Sequence, residues 1–235
     1  MLQKFYDRFK DDFLHKGSIN IVCLGDSITE GIGLDDVKDC YDRVVKRKCD
    51  TGEIRNYSIS GSRFAHQSAP SYKPHYDLCF CGRAFYMDRN ADIIVVYGGV
   101  NDYIHGDAPI GTPEDTTPST FYGALDFLMN FLKENFTAEI VFMTPAHCLY
   151  RDIIDTEPSH RVMKRDDAMP LCGYVDIIKE KAAQYGIHVA DLFNDLGIDP
   201  KNEDECEKYM VDGLHFNPLG HEKIADLLID TLQKI

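Results

Sequence analysis

Ser27 stands in Gly25-Asp26-Ser27-Ile28, directly after the apolar run Ile19-Asn20-Ile21-Val22-Cys23-Leu24, and Asp212-Gly213-Leu214-His215 lies near the far end of the chain. A hydroxyl, an imidazole and a carboxylate are the nucleophile, base and orienting acid of a serine hydrolase. Between them Gly99-Val100-Asn101-Asp102 again follows a strand-like run. Singly, each signal has a bland explanation. A serine after a strand is most often a helix N-cap, and Asn-Asp is a common turn. One histidine among nine is seldom catalytic. Their joint occurrence, in order along one chain, is what outweighs the bland explanations.

The elements between these segments decide whether they can meet. Five short β-branched runs stand out: Ile19–Leu24, Ile54–Ile59, Ile93–Tyr97, Ile140–Met143 and Ile187–Leu192. They are nearly continuous rather than alternating, as in strands covered on both faces. Helical patterns separate most of them. One spans roughly residues 36–48. A second covers 121–134, with Thr117-Pro118 as its start and Leu125, Leu128, Met129 and Leu132 on one stripe. A third covers 174–185 and is ended by Gly186. The last begins at Pro218 with Asn217 as its cap.

Strands alternating with helices predict a three-layer α/β/α sandwich around a parallel five-stranded sheet, with right-handed crossovers. Ligands of such folds bind beyond the carboxyl ends of the strands. Ser27, Gly61 and Asn101 each come just after a strand, so topology alone brings them to one edge. The stretches 62–90, 102–116 and 146–170 are too long for simple connectors, and long loops at this edge are commonly functional. They carry Arg63, His66, Tyr72, His75, Tyr103, His105, Tyr150 and Arg151, suited to a polar, ring-bearing ligand, although any one of them alone reads as a solvated loop residue.

Composition narrows the partners. The 235 residues fit one domain spanning 1–235, long enough for a full core. A net charge of −14 argues against nucleic acid or an anionic membrane as partner. No apolar stretch reaches the ~18 residues of a membrane span. Residues 1–16 are broken by Asp7, Arg8, Asp11 and Asp12, which excludes a secretory signal. Leu2, Phe5, Phe9 and Phe13 instead predict an amphipathic helix packing on the domain, and the first candidate for a homo-oligomer interface. The eight cysteines show neither C-x-x-C nor zinc spacing, so free thiols in a cytoplasmic protein are expected. The acidic stretch 199–207 lacks the central glycine and terminal glutamate of a calcium loop.

The four segments Gly25-Asp26-Ser27, Gly61, Gly99-Val100-Asn101-Asp102 and Asp212-Gly213-Leu214-His215 together resemble the sequence blocks of the SGNH hydrolases, the GDSL esterase/lipase superfamily. They span nearly the whole chain, and the G-x-S-x-G elbow of α/β-hydrolases is absent. The resemblance implies a flavodoxin-like SGNH fold, with Ser27 as nucleophile, His215 as base and Asp212 as its orienting partner. It also implies an oxyanion hole from the backbone N–H groups of Ser27 and Gly61 and the side-chain amide of Asn101. No cofactor and no metal are needed by this scheme. Asp26 and Asp102 read as acceptors for loop N–H groups. Asp26 is also carried, with Arg63, Tyr103 and Tyr150, as a candidate for contacting substrate.

The superfamily covers carbohydrate O-acetyl esterases, lysophospholipases, thioesterases and arylesterases. Loops rich in Tyr, His, Arg and Asp, with no basic amphipathic segment for a lipid surface, favour a small-molecule acetyl ester of a sugar-like alcohol. A lysophospholipase or thioesterase is the alternative. A catalytically idle binding module is the reading from another class.

Overall fold

The computed structural model describes residues 19–70, 74–149 and 169–235. Five parallel strands form one sheet: β1 (Ile21–Gly25), β2 (Ile54–Asn56), β3 (Ile93–Tyr97), β4 (Glu139–Met143) and β5 (His188–Ala190). Their order is β2-β1-β3-β4-β5. Each run expected from the sequence contributes one strand. Alternate side chains enter opposite cores. Ile21, Cys23, Ile93, Val95, Tyr97, Val141 and Met143 face one layer, while Val22, Leu24, Ile94, Val96, Ile140 and Phe142 face the other. Both faces are therefore covered, which accounts for the continuous apolar runs.

The helices are α1 (Ser27–Glu30), α2 (Tyr41–Cys49), α3 (Phe80–Arg83), α4 (Val100–His105), α5 (Phe121–Asn135), α6 (Leu171–Gln184), α7 (Leu192–Asp195), α8 (Glu203–Tyr209) and α9 (Pro218–Leu232). Val44 and Val45 of α2 pack with Ile224 and Leu228 of α9 on the first layer. Leu125, Leu128 and Met129 of α5 pack with Ile177 and Ile178 of α6 on the second. This is the three-layer α/β/α sandwich with the flavodoxin-like strand order. Asn217 caps α9 by accepting from the amides of Leu219 and Gly220, with Pro218 in the first turn.

Several boundaries depart from the expected ones. The helix expected at 36–48 is a 3₁₀ turn, Val37–Asp39, capped by Asp36, and then α2. Cys40, in extended backbone, separates the two. The start of α5 is not Thr117-Pro118: Thr120 is its cap, its hydroxyl accepting from the amide of Gly123 at 3.0 Å. Stretch 62–90 contains α3 and two 3₁₀ turns. The acidic stretch near 203 is a helix, α8, capped by Asn202 with three acidic residues in its first turn, where the helix dipole favours them. The N-terminal helix expected at 1–16, together with Tyr72, Tyr150 and Arg151, lies outside the described residues.

One buried side chain fastens the edge that carries the site. Arg83 ends α3 and donates to the carbonyl of Gly25 at 3.1 Å, to the carbonyl of Tyr57, and to Ser62 Oγ at 2.7 Å. Its guanidinium lies 4.6 Å from the centre of the Phe80 ring. Burial lowers its affinity for a proton, to a pKa of about 10, partly offset by Asp26; it stays charged at neutral pH. Arg83→Met would take a charged donor from three interior acceptors, of which Gly25 O keeps the amide of Ile59 and Ser62 Oγ keeps its own bond to Ile59 O. Each bond to a charged donor contributes about 1.5–3 kcal/mol, so urea unfolding should show a loss on the order of 3 kcal/mol or more. A loss below about 1 kcal/mol would mean that water reaches these carbonyls and the arginine does not secure the edge.

Candidate active site

The order of the sheet reverses between β1 and β3, which places a crevice at their carboxyl ends. Ser27 comes after β1 and opens α1, Asn101 comes after β3 on α4, and Gly61 lies beyond β2. Asp26 caps α1 by accepting from the amide of Ile28 at 3.0 Å. The first helical position, next to that cap, holds Ser27, which is 5% exposed.

Asp212 and His215 arrive on the loop between α8 and α9. Asp212 Oδ1 accepts from the amides of Leu214 at 2.9 Å and His215 at 2.7 Å, coiling the loop around its own carboxylate. Gly213 within it has φ +78°, a left-handed conformation that favours glycine, and a Cβ there would lie 2.6 Å from the Leu149 side chain. The bend expected at this glycine is therefore present. Asp212 Oδ2 lies 2.7 Å from His215 Nδ1, and His215 Nε2 lies 3.0 Å from Ser27 Oγ. Burial raises the Asp212 pKa, but the bonds from the His215 side chain and the two amides outweigh it and hold the carboxyl below its ordinary range. The carboxylate is then charged at neutral pH, and it favours the His215 tautomer with its proton on Nδ1. Nε2 is left free to accept from the serine hydroxyl. Ser27 Oγ, the His215 ring and the Asp212 carboxylate stand in one unbroken line.

Asn101 Nδ2 donates to Ser62 O at 3.1 Å and to Asp26 Oδ2 at 3.2 Å. The amide thus lies between the residues next to Gly61 and Ser27. Among the described residues the backbone N–H groups of Ser27 and Gly61 have no intramolecular acceptor. Gly61 itself has φ +73°, a turn that a side chain would strain. Asp102 accepts from the amides of Phe64 at 2.9 Å and Ala65 at 3.0 Å, which fixes the segment after Gly61. Asp102 accepts from loop N–H groups, as the sequence suggested, whereas Asp26 caps α1 and accepts from the Asn101 side chain.

The expected substrate contacts are corrected in part. Asp26 is buried under α1 and turned to Asn101 and Ile28. Arg63 is equally buried, held by Asp77 at 3.0 Å and His105 at 2.9 Å. Tyr103 packs edge-on against Tyr174 in the second core. All three are interior groups rather than a ligand-facing surface. His66 lines an apolar depression with Cys79, Cys81, Phe85 and Phe127. Arg83, Ser62 and the structural place of His105 were not anticipated. The one local clue was that His105 falls one helical turn after Asn101. No group of three or more His, Cys, Asp or Glu side chains among the described residues could hold a metal ion. None of the eight cysteines forms a disulfide.

The GDSL-like lipase/acylhydrolase family matches residues 23–223. A parallel sandwich with a serine at the exit of its first strand is the architecture of the SGNH hydrolases. The chain belongs to that family of hydrolases. A Lactobacillus plantarum protein of known structure is 31% identical, with a TM-score of 0.77 over 94% of this chain and 99% of its own. A Bacteroides uniformis protein named a GDSL-like lipase shares 19% identity, with a TM-score of 0.66 over 95% and 99% of the two chains. An acetyl xylan esterase shares 21%, with a TM-score of 0.59 over 90% and 98%. No curated protein matches the sequence closely.

Burial pushes Asp26 up to about 7; its bond from Ile28 and the charge of Arg83 oppose the shift, and Asp102 adds to it. Its folded pKa exceeds the unfolded value, so the stability it contributes is complete below about pH 4 and is lost as pH rises through about 7. The unfolding free energy of wild type minus that of Asp26→Asn should therefore fall between pH 4 and pH 7.5, since a contact made by the new amide adds only a pH-independent offset. A difference that stays flat over this range would show that Asp26 is solvated in the folded protein.

Proposed function

We propose that this protein is a serine esterase that removes short acyl groups, acetyl above all, from carbohydrate hydroxyls. The observation that carries the reading is the line Ser27 Oγ to His215 Nε2 to Asp212, at 3.0 and 2.7 Å. Ser27 Oγ attacks the ester carbonyl while His215 Nε2 takes its proton. Asp212 steadies the imidazolium, which then protonates the departing alkoxide and leaves an acyl-serine. Water activated by the same imidazole releases the acid. The developing oxyanion is met by the amides of Ser27 and Gly61 and by Asn101 Nδ2. The oxyanion replaces the longer resting contact of Asn101, that to Asp26, whose raised pKa weakens its competition at neutral pH.

A sugar-like alcohol is supported by the acetyl xylan esterase among the similar folds. The net charge of −14 favours a free small-molecule ester over nucleic acid or an anionic lipid surface. One observation favours longer acyl chains, and with them a lysophospholipase or thioesterase. Ile32, Leu149 and Val211 are exposed apolar side chains beside the loop of His215. A Cβ at Gly33 would meet Val211 at 2.8 Å and the Cβ of His215 at 3.4 Å, and Leu149 lies over Gly213.

The p-nitrophenyl ester series from acetate to dodecanoate separates these readings. kcat/KM should be highest for acetate, and Ser27→Ala should lower kcat on the order of 10⁴–10⁶-fold. A rise with chain length would transfer the assignment to the lipase or thioesterase reading. No turnover of any ester, and no labelling of Ser27 by a phosphonate, would leave a binding module. Asn101→Ala should cost roughly 10²–10³-fold in kcat, and an unchanged kcat would remove Asn101 from the oxyanion site.

A further inference from the structure

We infer that His105 is a positioning residue that fixes which way the Asn101 amide points, and thereby sets the oxyanion contribution of Asn101; the inference rests on the esterase reading above. His105 Nδ1 lies 2.9 Å from Arg63 Nη1, and His105 Nε2 lies 2.9 Å from Asn101 Oδ1. A guanidinium has only donors, so Nδ1 must present a lone pair. The ring proton then resides on Nε2 and is donated to Asn101 Oδ1. With its oxygen engaged there, Asn101 directs both N–H bonds the other way, toward Ser62 O and Asp26 Oδ2. Turning the amide over would set its NH₂ against the His105 N–H and its oxygen against the carbonyl of Ser62. The Ser62 carbonyl, an acceptor only, and the His105 N–H together distinguish the nitrogen of this amide from its oxygen.

The chain is anchored at its outer end. Arg63 Nη2 donates to Asp77 Oδ1 at 3.0 Å; burial lowers the Arg63 pKa, and the charges of Asp102, Asp77 and Asp107 oppose that shift. Asp102, on α4 with Asn101 and His105, holds the amides of the two residues after Arg63. One helix therefore positions the oxyanion donor, the ring that orients it and the loop that supplies the ring's own partner. A proton on Nδ1 would point at the Arg63 guanidinium, which has only donors to offer, so the contact with Arg63 calls for the tautomer with its proton on Nε2. Hydrogen bonds in series polarise one another, so the donation into Asn101 Oδ1 also makes its N–H bonds better donors.

The test combines His105→Leu, His105→Gln and Asn101→Ala with the His105→Leu/Asn101→Ala double variant, assayed on p-nitrophenyl acetate. A glutamine can donate to Asn101 and accept from Arg63, whereas leucine can do neither. His105→Leu should lower kcat about 10- to 100-fold with KM changed by less than about twofold, and His105→Gln should recover most of the loss. In the Asn101→Ala background the same His105→Leu change should cost less than about twofold, because its effect passes through the missing amide. Full additivity of the two losses, or a glutamine variant as impaired as leucine, would overturn the inference. Imidazole ¹⁵N NMR gives a readout independent of turnover: His105 should show a protonated Nε2 and an unprotonated Nδ1 at neutral pH. The opposite tautomer, or a doubly protonated ring, would also overturn it. Ester hydrolysis undiminished in Ser27→Ala would instead defeat the esterase reading, while the tautomer measurement would still decide the place of His105.

Discussion

The side-chain amide of Asn101 bridges the exits of three different strands. Asp26 comes just after β1, Ser62 lies beyond β2, and Asn101 itself comes after β3; the two bonds of its nitrogen join all three. Backbone bonds from Tyr57 and Ile59 to Cys23 and Gly25, together with Arg83, tie the exits of β1 and β2. The amide adds the exit of β3 to that pair. It also explains why an uncharged group occupies the position. A lysine here would bring a charge into an interior where Arg83 is already pressed by burial, whereas an amide can hold the loops together and still turn a proton toward an oxyanion.

Around that bridge the interior charges are arranged in a graded way. Arg83, deep below the loops, stays positive and takes carbonyls from two strand exits. Asp26, next to the nucleophile, is driven toward its neutral form by burial. Asp212, at the mouth, is instead held ionised by two amides and an imidazole, with a side chain 38% exposed. Two carboxyl groups on one site are thus pushed in opposite directions by their surroundings. In the proposed reaction the first, if ionised, would repel the developing oxyanion, and the second would supply the charge that an imidazolium at His215 needs.

Features held by local forces were the ones legible in the sequence. Strands buried on both faces announce themselves as continuous apolar runs, and Ser27, Asn101, Asp212 and His215 could be singled out because each sits at a definite offset from such a run or from a helix start. Limits of the runs were harder. Ile54–Ile59 reads as one strand, yet β2 stops at Asn56, because Tyr57 and Ile59 still donate to Cys23 and Gly25 while the chain is already leaving the sheet. Apolar character persisted beyond regular pairing. Arg83 could not be found at all, since its partners at the sheet edge lie 58, 26 and 21 residues away and nothing near it in sequence marks them. His105 and Arg63 looked like groups for a ligand because imidazole and guanidinium suit both roles, and only burial separates a ring that meets substrate from one that meets an asparagine.

The loop carrying His215 is also tied to the far side of the crevice. The amide of Leu149, beyond β4, donates to the carbonyl of Gly213 at 2.9 Å, and its side chain covers the same glycine. The chain that leads into the long stretch after β4 therefore shares a hydrogen bond with the loop that holds the base. A Cβ at Gly213 would lie 2.6 Å from the Leu149 side chain, so any larger residue there would displace Leu149 and, with it, the backbone bond that braces the loop of Asp212 and His215 from outside.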